Sequence, residues 1–353
     1  MSLRERLVDQ IRIGGPITVA QYMTLCLHDP QDGYYATRPA IRSDGDFITA
    51  PLISQMFGEM IGLWLIETWS RLGRPAPFRL VEMGPGDGSL MHDILRTARL
   101  VPDFLAAADV WLVEASAPLR TLQAQKLGSG PKTCPTLAEV PDGAPLLLVA
   151  NELLDCLPIH QWVRTPSGWA ERCIGINDSG DLVFGLSEAP YMASLPDAEA
   201  GMVMETSPAQ EALGTEVADR LVQDGGAALL IDYGRGAPGP GDTLQAIGSH
   251  RKEHPLAHPG QVDLTAHADF PAVLAAARAA GAATAPLLDQ ATFLARLGIF
   301  ERAERLAQAQ PERTDQIGRQ LERLVAPDQM GELFKVACLH VQGLVPPGFE
   351  TET

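Results

Sequence analysis

The sequence predicts an α/β protein built on a mostly parallel sheet, and three observations support this prediction. Short apolar runs alternate with helical patterns between residues 78 and 232. Three glycines at alternate positions join the first of these runs to the first helical pattern. Acidic and amide residues follow several of the apolar runs. Such alternation is typical of a parallel sheet with helices on both faces, whose ligands bind beyond the carboxyl ends of the strands.

The elements follow from the periodicity of the apolar residues. Apolar side chains recur at steps of three and four residues from about Leu52 to Leu72, which predicts a long amphipathic helix packed on the core. A polar helix around 301–325 and an apolar last strand in "LFKVACLHVQGL" close the chain. Between them the pattern predicts strand 78–83, helix 89–99, strand 109–114, helix 116–127, strand 145–150, helix 206–222 and strand 226–232.

Two segments interrupt this alternation. In residues 160–187, Pro-Ser-Gly and Asn-Asp-Ser-Gly turns separate short β-type runs, which predicts an inserted antiparallel hairpin. Residues 234–262 are rich in Gly, Pro and His and predict a long loop. We therefore expect a helical N-terminal region, 1–75, and a sheet-bearing domain, 76–353, with an insertion at about 157–205.

Composition and charge exclude several classes of protein. The 353 residues are 46% apolar, and 44 acidic residues outnumber 27 Lys and Arg to give a net charge of -17. This charge argues against nucleic acid as a partner, because it repels phosphate backbones, and no apolar run is long enough for membrane insertion. The five cysteines are scattered without a C-x-x-C pair, so neither a disulfide framework nor a zinc site is predicted. Prolines interrupt the histidines at 250, 254 and 258, so we expect no metal.

The glycine cluster "LVEMGPGDGSL" (80–90) is typical of a nucleotide-binding turn between a strand and a helix. Dinucleotide folds prefer G-x-G-x-x-G, whereas here Gly88 follows Gly84 by only four positions. Glu82 precedes the turn and is unfavourable beside a pyrophosphate, but it suits the cationic amino and sulfonium groups of S-adenosylmethionine. Glu114, at the end of the next strand, suits the ribose hydroxyls. These residues favour an S-adenosylmethionine site, with an NAD enzyme as the alternative.

A second group of polar residues, "NELLDC" (151–156), follows the strand at 145–150. In a helical turn, Glu152 and Asp155 share a face and could present two carboxylates to one guanidinium. The alternative is a helix N-terminus with acidic residues placed for its dipole, and the sequence does not decide between the two. Asp232 and Tyr233 also end a strand on the ligand side, although an Asp that caps a turn is equally ordinary.

Six ordered blocks across nearly the whole chain resemble the MidA-like family, whose mitochondrial members are arginine methyltransferases that assist assembly of respiratory complex I. The blocks are "GDFITAPLISQMFGE" (45–59), "VEMGPGDGSL" (81–90), "ANELLDCLP" (150–158), "IDYG" (231–234), "PGQVDLTAHADF" (259–270) and "MGELFKV" (330–336).

The resemblance implies a class I methyltransferase fold with a seven-stranded sheet, S-adenosylmethionine as cofactor, and residues 1–75 packed over the cofactor site. The expected acceptor is an arginine of a protein substrate, a core complex I subunit. Catalytic roles are expected at Glu152, Asp155 and His267, with a structural histidine as the alternative for the last. The expected cofactor-binding residues are Asp46, Thr49, Ser54, Glu82, Gly84, Pro85, Gly86, Gly88, Glu114 and Asn151.

Two positions depart from the family pattern, Leu52 where a glutamate is common and Asp87 where a basic residue often lies. Three functions remain in competition: a protein arginine methyltransferase, a small-molecule methyltransferase, and a non-catalytic assembly scaffold that retains the fold. A bacterial cytoplasmic enzyme is expected because no targeting segment is evident, and homodimerisation stays open.

Overall fold

The computed structural model describes residues 1–37, 49–191, 195–248 and 251–350. Short helical turns that are not α-helices span Leu137–Glu139, Pro311–Arg313 and Pro327–Gly331. The α-helices are α1 (Leu3–Gly14), α2 (Val19–His28), α3 (Tyr34–Thr37), α4 (Ala50–Ile53), α5 (Gln55–Arg71), α6 (Ser89–Ala98), α7 (Pro102–Ala107), α8 (Ala117–Leu127), α9 (Pro208–Asp224), α10 (Phe270–Ala279), α11 (Gln290–Arg296), α12 (Ile299–Ala309) and α13 (Thr314–Val325).

The strands form one central sheet and two smaller antiparallel sheets. They are β1 (Ile17–Thr18), β2 (Phe78–Met83), β3 (Ala108–Val113), β4 (Lys132–Cys134), β5 (Leu146–Asn151), β6 (His160–Thr165), β7 (Gly168–Ile176), β8 (Leu182–Tyr191), β9 (Val203–Thr206), β10 (Gly226–Arg235), β11 (Gln245–Gly248), β12 (Arg251–Glu253), β13 (Asp263–Thr265), β14 (Ala268–Asp269), β15 (Ala283–Thr284), β16 (Leu288–Asp289) and β17 (Phe334–His340).

The central sheet has the order β15-β17-β10-β5-β2-β3-β4, with the short strands β14 and β16 paired beside it. Five adjacent strands run parallel to one another, in the order β10, β5, β2, β3 and β4. Strand β17 runs antiparallel to β10. The predicted mostly parallel path of seven strands is therefore confirmed, and the two short strands extend it.

The register of the sheet brings the predicted site segments together. Met83 of β2 is aligned with Val113 of β3 on one side and with Ala150 of β5 on the other. Because these strands are parallel neighbours, the residues that follow them leave the sheet at the same edge. The glycine turn, Glu114 and Asn151 are consequently close in space.

Helices cover both faces of this sheet. On one face α5 packs on α6, and the apolar cluster there includes the fully buried Phe57, Trp64 and Phe78. On the other face α9 packs on α10, and the cluster there includes Val217 and Phe270. The amphipathic helix predicted from about residue 52 to 72 is observed as α5, preceded by the short α4.

The inserted segment is larger than the predicted hairpin. Strands β6 to β9 form an antiparallel sheet that is completed by β1, whose Ile17 pairs with Ile174. Helices α1 and α2 share an apolar core with this sheet through residues such as Leu7 and Tyr22. The first helices therefore pack against the insertion.

Two other expectations need correction. The long loop predicted at 234–262 contains β11 and β12, which pair with β13 in a three-stranded sheet. These strands are only three or four residues long, so they carry too little alternation to be recognised. The polar helix predicted around 301–325 is two helices, α12 and α13, separated at Pro311, which cannot continue a helix because it lacks a backbone N–H.

Candidate functional site

The glycine turn between β2 and α6 requires a backbone that only glycine adopts easily. Gly84, Gly86 and Gly88 have φ values of 64°, 53° and 83°, all in the left-handed region. A Cβ atom on Gly84 would lie 3.0 Å from Leu153 Cδ1, so the Leu153 side chain would have to shift to accommodate it. The turn thus exposes backbone groups at the N-terminus of α6, which can bind a polar ligand.

Two cavities meet at this turn, and Gly84, Gly86 and Glu152 contribute to both. The larger cavity, about 270 Å³, is also lined by His28, Tyr35, Glu114, Leu119, Pro135 and Cys156. The smaller cavity, about 30 Å³, is also lined by Thr49, Glu82, Pro85, Asp87, Ser89 and Asn151. Most of the residues that the sequence predicted therefore face one continuous region.

The carboxylate of Glu114 is fixed by a network that the sequence did not predict. Glu114 Oε1 accepts a hydrogen bond from Ser116 N at 2.8 Å, and Oε2 accepts one from Gln123 Nε2 at 3.4 Å. The same Gln123 nitrogen donates to the Gly86 carbonyl oxygen at 2.8 Å. Burial raises the pKa of Glu114. Gln123 thus links the glycine turn to the acid expected to bind ribose, although nothing in the sequence of α8 marks it.

The smaller cavity contains two buried oxygen atoms without a hydrogen-bond partner, Glu82 Oε2 and Asn151 Oδ1. Glu82 is 2% exposed and Asn151 is 9% exposed, so water does not satisfy them freely. Burial, and then the charge of Asp87, raises the pKa of Glu82 well above its usual value. Two unpaired acceptors beside a turn fit a ligand with N–H donors and a positive charge.

The charge of Asp87, one of the two departures from the family pattern, is paired. Its Oδ2 lies 2.5 Å from Lys126 Nζ of α8, and its Oδ1 accepts a hydrogen bond from Ser89 N at 2.9 Å. Asp87 therefore caps the start of α6. The substitution of an acid for a base is offset locally by this lysine.

Glu152 does not lie in the helical turn that the sequence analysis considered. Its backbone is left-handed, with φ of 52°, and its N–H donates to the carbonyl oxygen of Ile231 in β10 at 2.8 Å. Glu152 Oε1 accepts hydrogen bonds from Asn151 Nδ2 at 3.0 Å and Ala50 N at 3.3 Å. Burial, and then the nearby Asp155, raises the pKa of Glu152 to about 7.

Asp155 is held by residues of β10, the strand beside β5 in the sheet. Its Oδ2 accepts a hydrogen bond from Tyr233 Oη at 2.5 Å, and burial raises its pKa to about 6. Asp232 Oδ2 accepts hydrogen bonds from the backbone N–H groups of Leu154 and Asp155. Asp232 therefore caps the turn that follows β5, and not a turn that follows Asp232 itself, as one of the two sequence-based alternatives had it.

Tyr35 and Asp263 are site residues that the sequence analysis did not single out. The ring of Tyr35 lines the larger cavity, and its hydroxyl donates to Asp263 Oδ2 at 2.7 Å. Its carbonyl oxygen accepts a hydrogen bond from Ser116 Oγ at 2.7 Å, next to Glu114. Asp263 belongs to the block "PGQVDLTAHADF", so the family resemblance was the available signal, whereas Tyr35 lies outside the six blocks.

The remaining predicted residues lie in different places. Thr49 lines the smaller cavity, whereas Ser54 caps α5 by accepting a hydrogen bond from Met56 N at 3.2 Å. The ring of His267 contacts the ring of Tyr233 edge to face, with centroids 5.7 Å apart. Burial lowers the pKa of His267. Asp46 lies outside the described residues.

Within the described ranges, no group of three or more His, Cys, Asp and Glu side chains is arranged to hold a metal ion. In the same part of the chain, no helix is both long and apolar enough to cross a membrane.

The parallel sheet, the glycine turn and the acids at adjacent strand ends define a class I methyltransferase. The chain belongs to a family of S-adenosyl-L-methionine-dependent methyltransferases, whose model matches residues 60–287. The predicted enzyme class and cofactor are thereby confirmed: this protein is a methyltransferase that uses S-adenosylmethionine.

Relatives named as protein arginine methyltransferases match most of the chain. The mitochondrial NDUFAF7 homolog of Drosophila melanogaster is 35% identical over 375 residues, which cover 96% of this chain and 84% of the relative. Human mitochondrial NDUFAF7 is 35% identical over 364 residues, which cover 94% of this chain and 82% of the relative. The resemblance inferred from the six blocks is confirmed.

A solved structure supports the fold and the cofactor. The crystal structure of a superfamily member from Burkholderia thailandensis, bound to S-adenosyl-homocysteine, is 28% identical and matches with a TM-score of 0.84. The match covers 99% of this chain and 92% of the other. The class I methyltransferase fold predicted from the sequence is confirmed.

One expectation is wrong. A bacterial cytoplasmic enzyme was predicted from the sequence, but the arginine methyltransferase relatives of fly, cattle and human, which are 34–35% identical to this chain, are named as mitochondrial proteins. The absence of an evident targeting segment was not a valid basis for that prediction.

Proposed function

We propose that this methyltransferase transfers its methyl group to an arginine side chain of a protein. The observation that carries the proposal is the position of Glu152, a half-buried residue whose carboxyl borders both cavities beside the glycine turn. A carboxylate there can pair with a guanidinium next to the cofactor, and such pairs are strong when solvent is excluded. The relatives named as arginine methyltransferases support the same acceptor.

The cofactor site fits S-adenosylmethionine by its chemistry. We propose that Thr49, Glu82, Asn151 and the glycine turn with Pro85 bind the amino-acid part, because unpaired acceptors there suit an ammonium group. Glu114 would accept hydrogen bonds from the ribose hydroxyls. When bound, the cofactor would supply a methyl group on a sulfonium, from which a neutral thioether can leave when a nitrogen attacks the methyl carbon in line.

In this mechanism the protein supplies orientation and charge. Ionised Glu152 holds the guanidinium so that one nitrogen points toward the methyl group. As the new N–C bond forms, the S–C bond breaks, and the nitrogen gives up one proton to a nearby carboxylate or to water. With a pKa of about 7, Glu152 is suited to alternate between the two protonation states.

We further propose an arginine-bearing subunit of respiratory complex I as the protein substrate, on the basis of the family resemblance. Residues 76–353 would form the methyltransferase domain, with the insertion at about 157–205, and residues 1–75 would close over the cofactor site. His28 and Tyr35 support this division, because both line the larger cavity. The homodimer considered from the sequence stays a prediction, which light scattering tests.

The test is methyl transfer from methyl-labelled S-adenosylmethionine to complex I subunits, with the modified residue located by mass spectrometry. We expect label on arginine, and Glu152→Gln should reduce turnover at least about 100-fold while cofactor affinity changes less than about threefold. Glu171→Gln, on the inserted sheet, is the matched control. Label found only on small molecules, or full turnover by the Glu152 variant, would contradict the proposal.

A further inference from the structure

Two consecutive residues of β10, Asp232 and Tyr233, contact the turn that carries Glu152 and Asp155. We propose that they are positioning residues, which act as one clamp and fix the turn that carries Glu152, together with the carboxyl group of Asp155, for recognition of the guanidinium. The inference rests on the proposed function, because it assigns a role to residues around the same acceptor.

The first half of the clamp is the carboxylate of Asp232, which is 0% exposed. Its Oδ2 accepts hydrogen bonds from Leu154 N at 2.8 Å and Asp155 N at 3.1 Å. Its Oδ1 accepts one from Tyr233 N at 2.8 Å. An Asp that only caps its own turn bonds to residues that follow it directly, whereas this carboxylate bonds to a turn almost eighty positions earlier.

The second half of the clamp is the hydroxyl of Tyr233, which donates to Asp155 Oδ2 at 2.5 Å. The ring cannot turn away easily, because Phe334 and His267 contact it edge to face at centroid distances of 5.4 Å and 5.7 Å. Backbone and side chain of the turn are therefore fixed from the same strand. Residues held in this way need no reorganisation when a ligand binds.

The clamp also keeps the carboxyl groups of Glu152, Asp155 and Asp232 close together, which costs electrostatic free energy because like charges repel. Burial, and then the charges of Asp155 and Glu152, raises the pKa of Asp232 well above its usual value. Like charges held close in a buried place gain from a cation that is shared between them. The titratable groups that act on this turn are Tyr35, Glu152, Asp155, Cys156, Asp232, Tyr233 and Asp263.

The test uses a synthetic probe, adenosine with a guanidine tethered at its 5′ carbon, and the matching uncharged urea. Calorimetry measures the affinity of the full-length chain for each compound and for S-adenosylmethionine. The wild-type protein should bind the guanidine at least about tenfold more tightly than the urea, because ionic hydrogen bonds discriminate by this amount or more.

The clamp predicts that Tyr233→Phe and Asp232→Asn reduce this preference to less than about threefold without changing affinity for S-adenosylmethionine. Tyr233→Phe should also move the pH midpoint of guanidine binding upward, because the lost hydroxyl favours the ionised form of Asp155. A merely structural role would not move that midpoint. Tyr22→Phe, which removes a buried hydroxyl bonded to the Pro255 carbonyl, is the control and should keep the wild-type preference.

The outcomes separate the two proposals. If the wild-type protein prefers the guanidine and folded Tyr233→Phe keeps both the preference and the midpoint, the clamp is refuted while the proposed function stands. If the wild-type protein binds the urea equally well, the guanidinium acceptor is refuted, and the clamp with it. Tyr233→Phe decides the matter even where Asp232→Asn does not fold.

Discussion

Gln123 joins the two halves of the cofactor site, since its side-chain nitrogen lies 2.8 Å from the carbonyl oxygen of Gly86. The same nitrogen reaches the carboxylate of Glu114, and the Gln123 residue is fully buried. One amide from α8 therefore holds the glycine turn and the acid of the next strand in a fixed relationship. A residue of this kind affects ligand affinity without contacting the reacting atoms.

Gln123→Met should weaken binding of S-adenosylmethionine about tenfold, because the Gly86 carbonyl and Glu114 lose a shared donor at a cost of roughly 1–3 kcal/mol. Isothermal titration calorimetry measures the change. Gln290→Met is a close control, since Gln290 is also fully buried and donates to a backbone carbonyl, that of Leu324, away from the cavities. Equal loss of affinity in both variants would mean that general destabilisation, and not the bridge, is responsible.

Gly86→Val should abolish measurable cofactor binding while the protein stays folded. A left-handed backbone costs a residue other than glycine roughly 1–2 kcal/mol, and a β-branched residue more. Gly86 also lines both cavities. Gly130→Val serves as the control, because its surroundings are open and its φ is not positive. Retained binding in a folded Gly86 variant would show that this turn does not hold the cofactor.

The carboxyl of Glu152 should make the ligand-free protein less stable as the pH rises. Because its folded-state pKa is raised from 4.5 to about 7, the native state binds more protons than the unfolded state between these values. The contribution is present in full below pH 4.5 and is lost as the pH rises through about 7. Urea unfolding at several pH values should show a smaller decline for Glu152→Gln than for wild type, and an identical decline would contradict this pKa.

The sheet and the cofactor side of the site could be predicted because their signals are local. Strand β2 was predicted with the observed bounds, and β3 and β5 within about one residue, because buried parallel strands are continuous apolar runs. The positive φ of Gly84, Gly86 and Gly88 agrees with their spacing, since glycine is the residue that adopts it without strain.

The acceptor side could not be predicted in the same way. The sequence placed Glu152 and Asp155 on one face of a helical turn, whereas Glu152 has a left-handed backbone fixed by a hydrogen bond from its N–H to Ile231. The N-terminal region brings Tyr35 to the cavity that Glu152 also lines. The hydrogen-bond partner of Tyr35, Asp263, is more than two hundred positions away in the sequence. No periodicity within the sequence encodes such contacts.

The sequence by itself determined the fold class, the glycine turn, the family and the acids at the strand ends, because each depends on neighbouring residues or on ordered blocks. Only the tertiary structure decided that Glu152, and not Asp155, borders the cavities. It also decided that Asp232 and Tyr233 hold the turn of these two acids and that Gln123 joins Gly86 to Glu114. The physical reason is that burial and hydrogen bonds between distant segments set these positions and their pKa values. Such interactions exist only after the chain has folded.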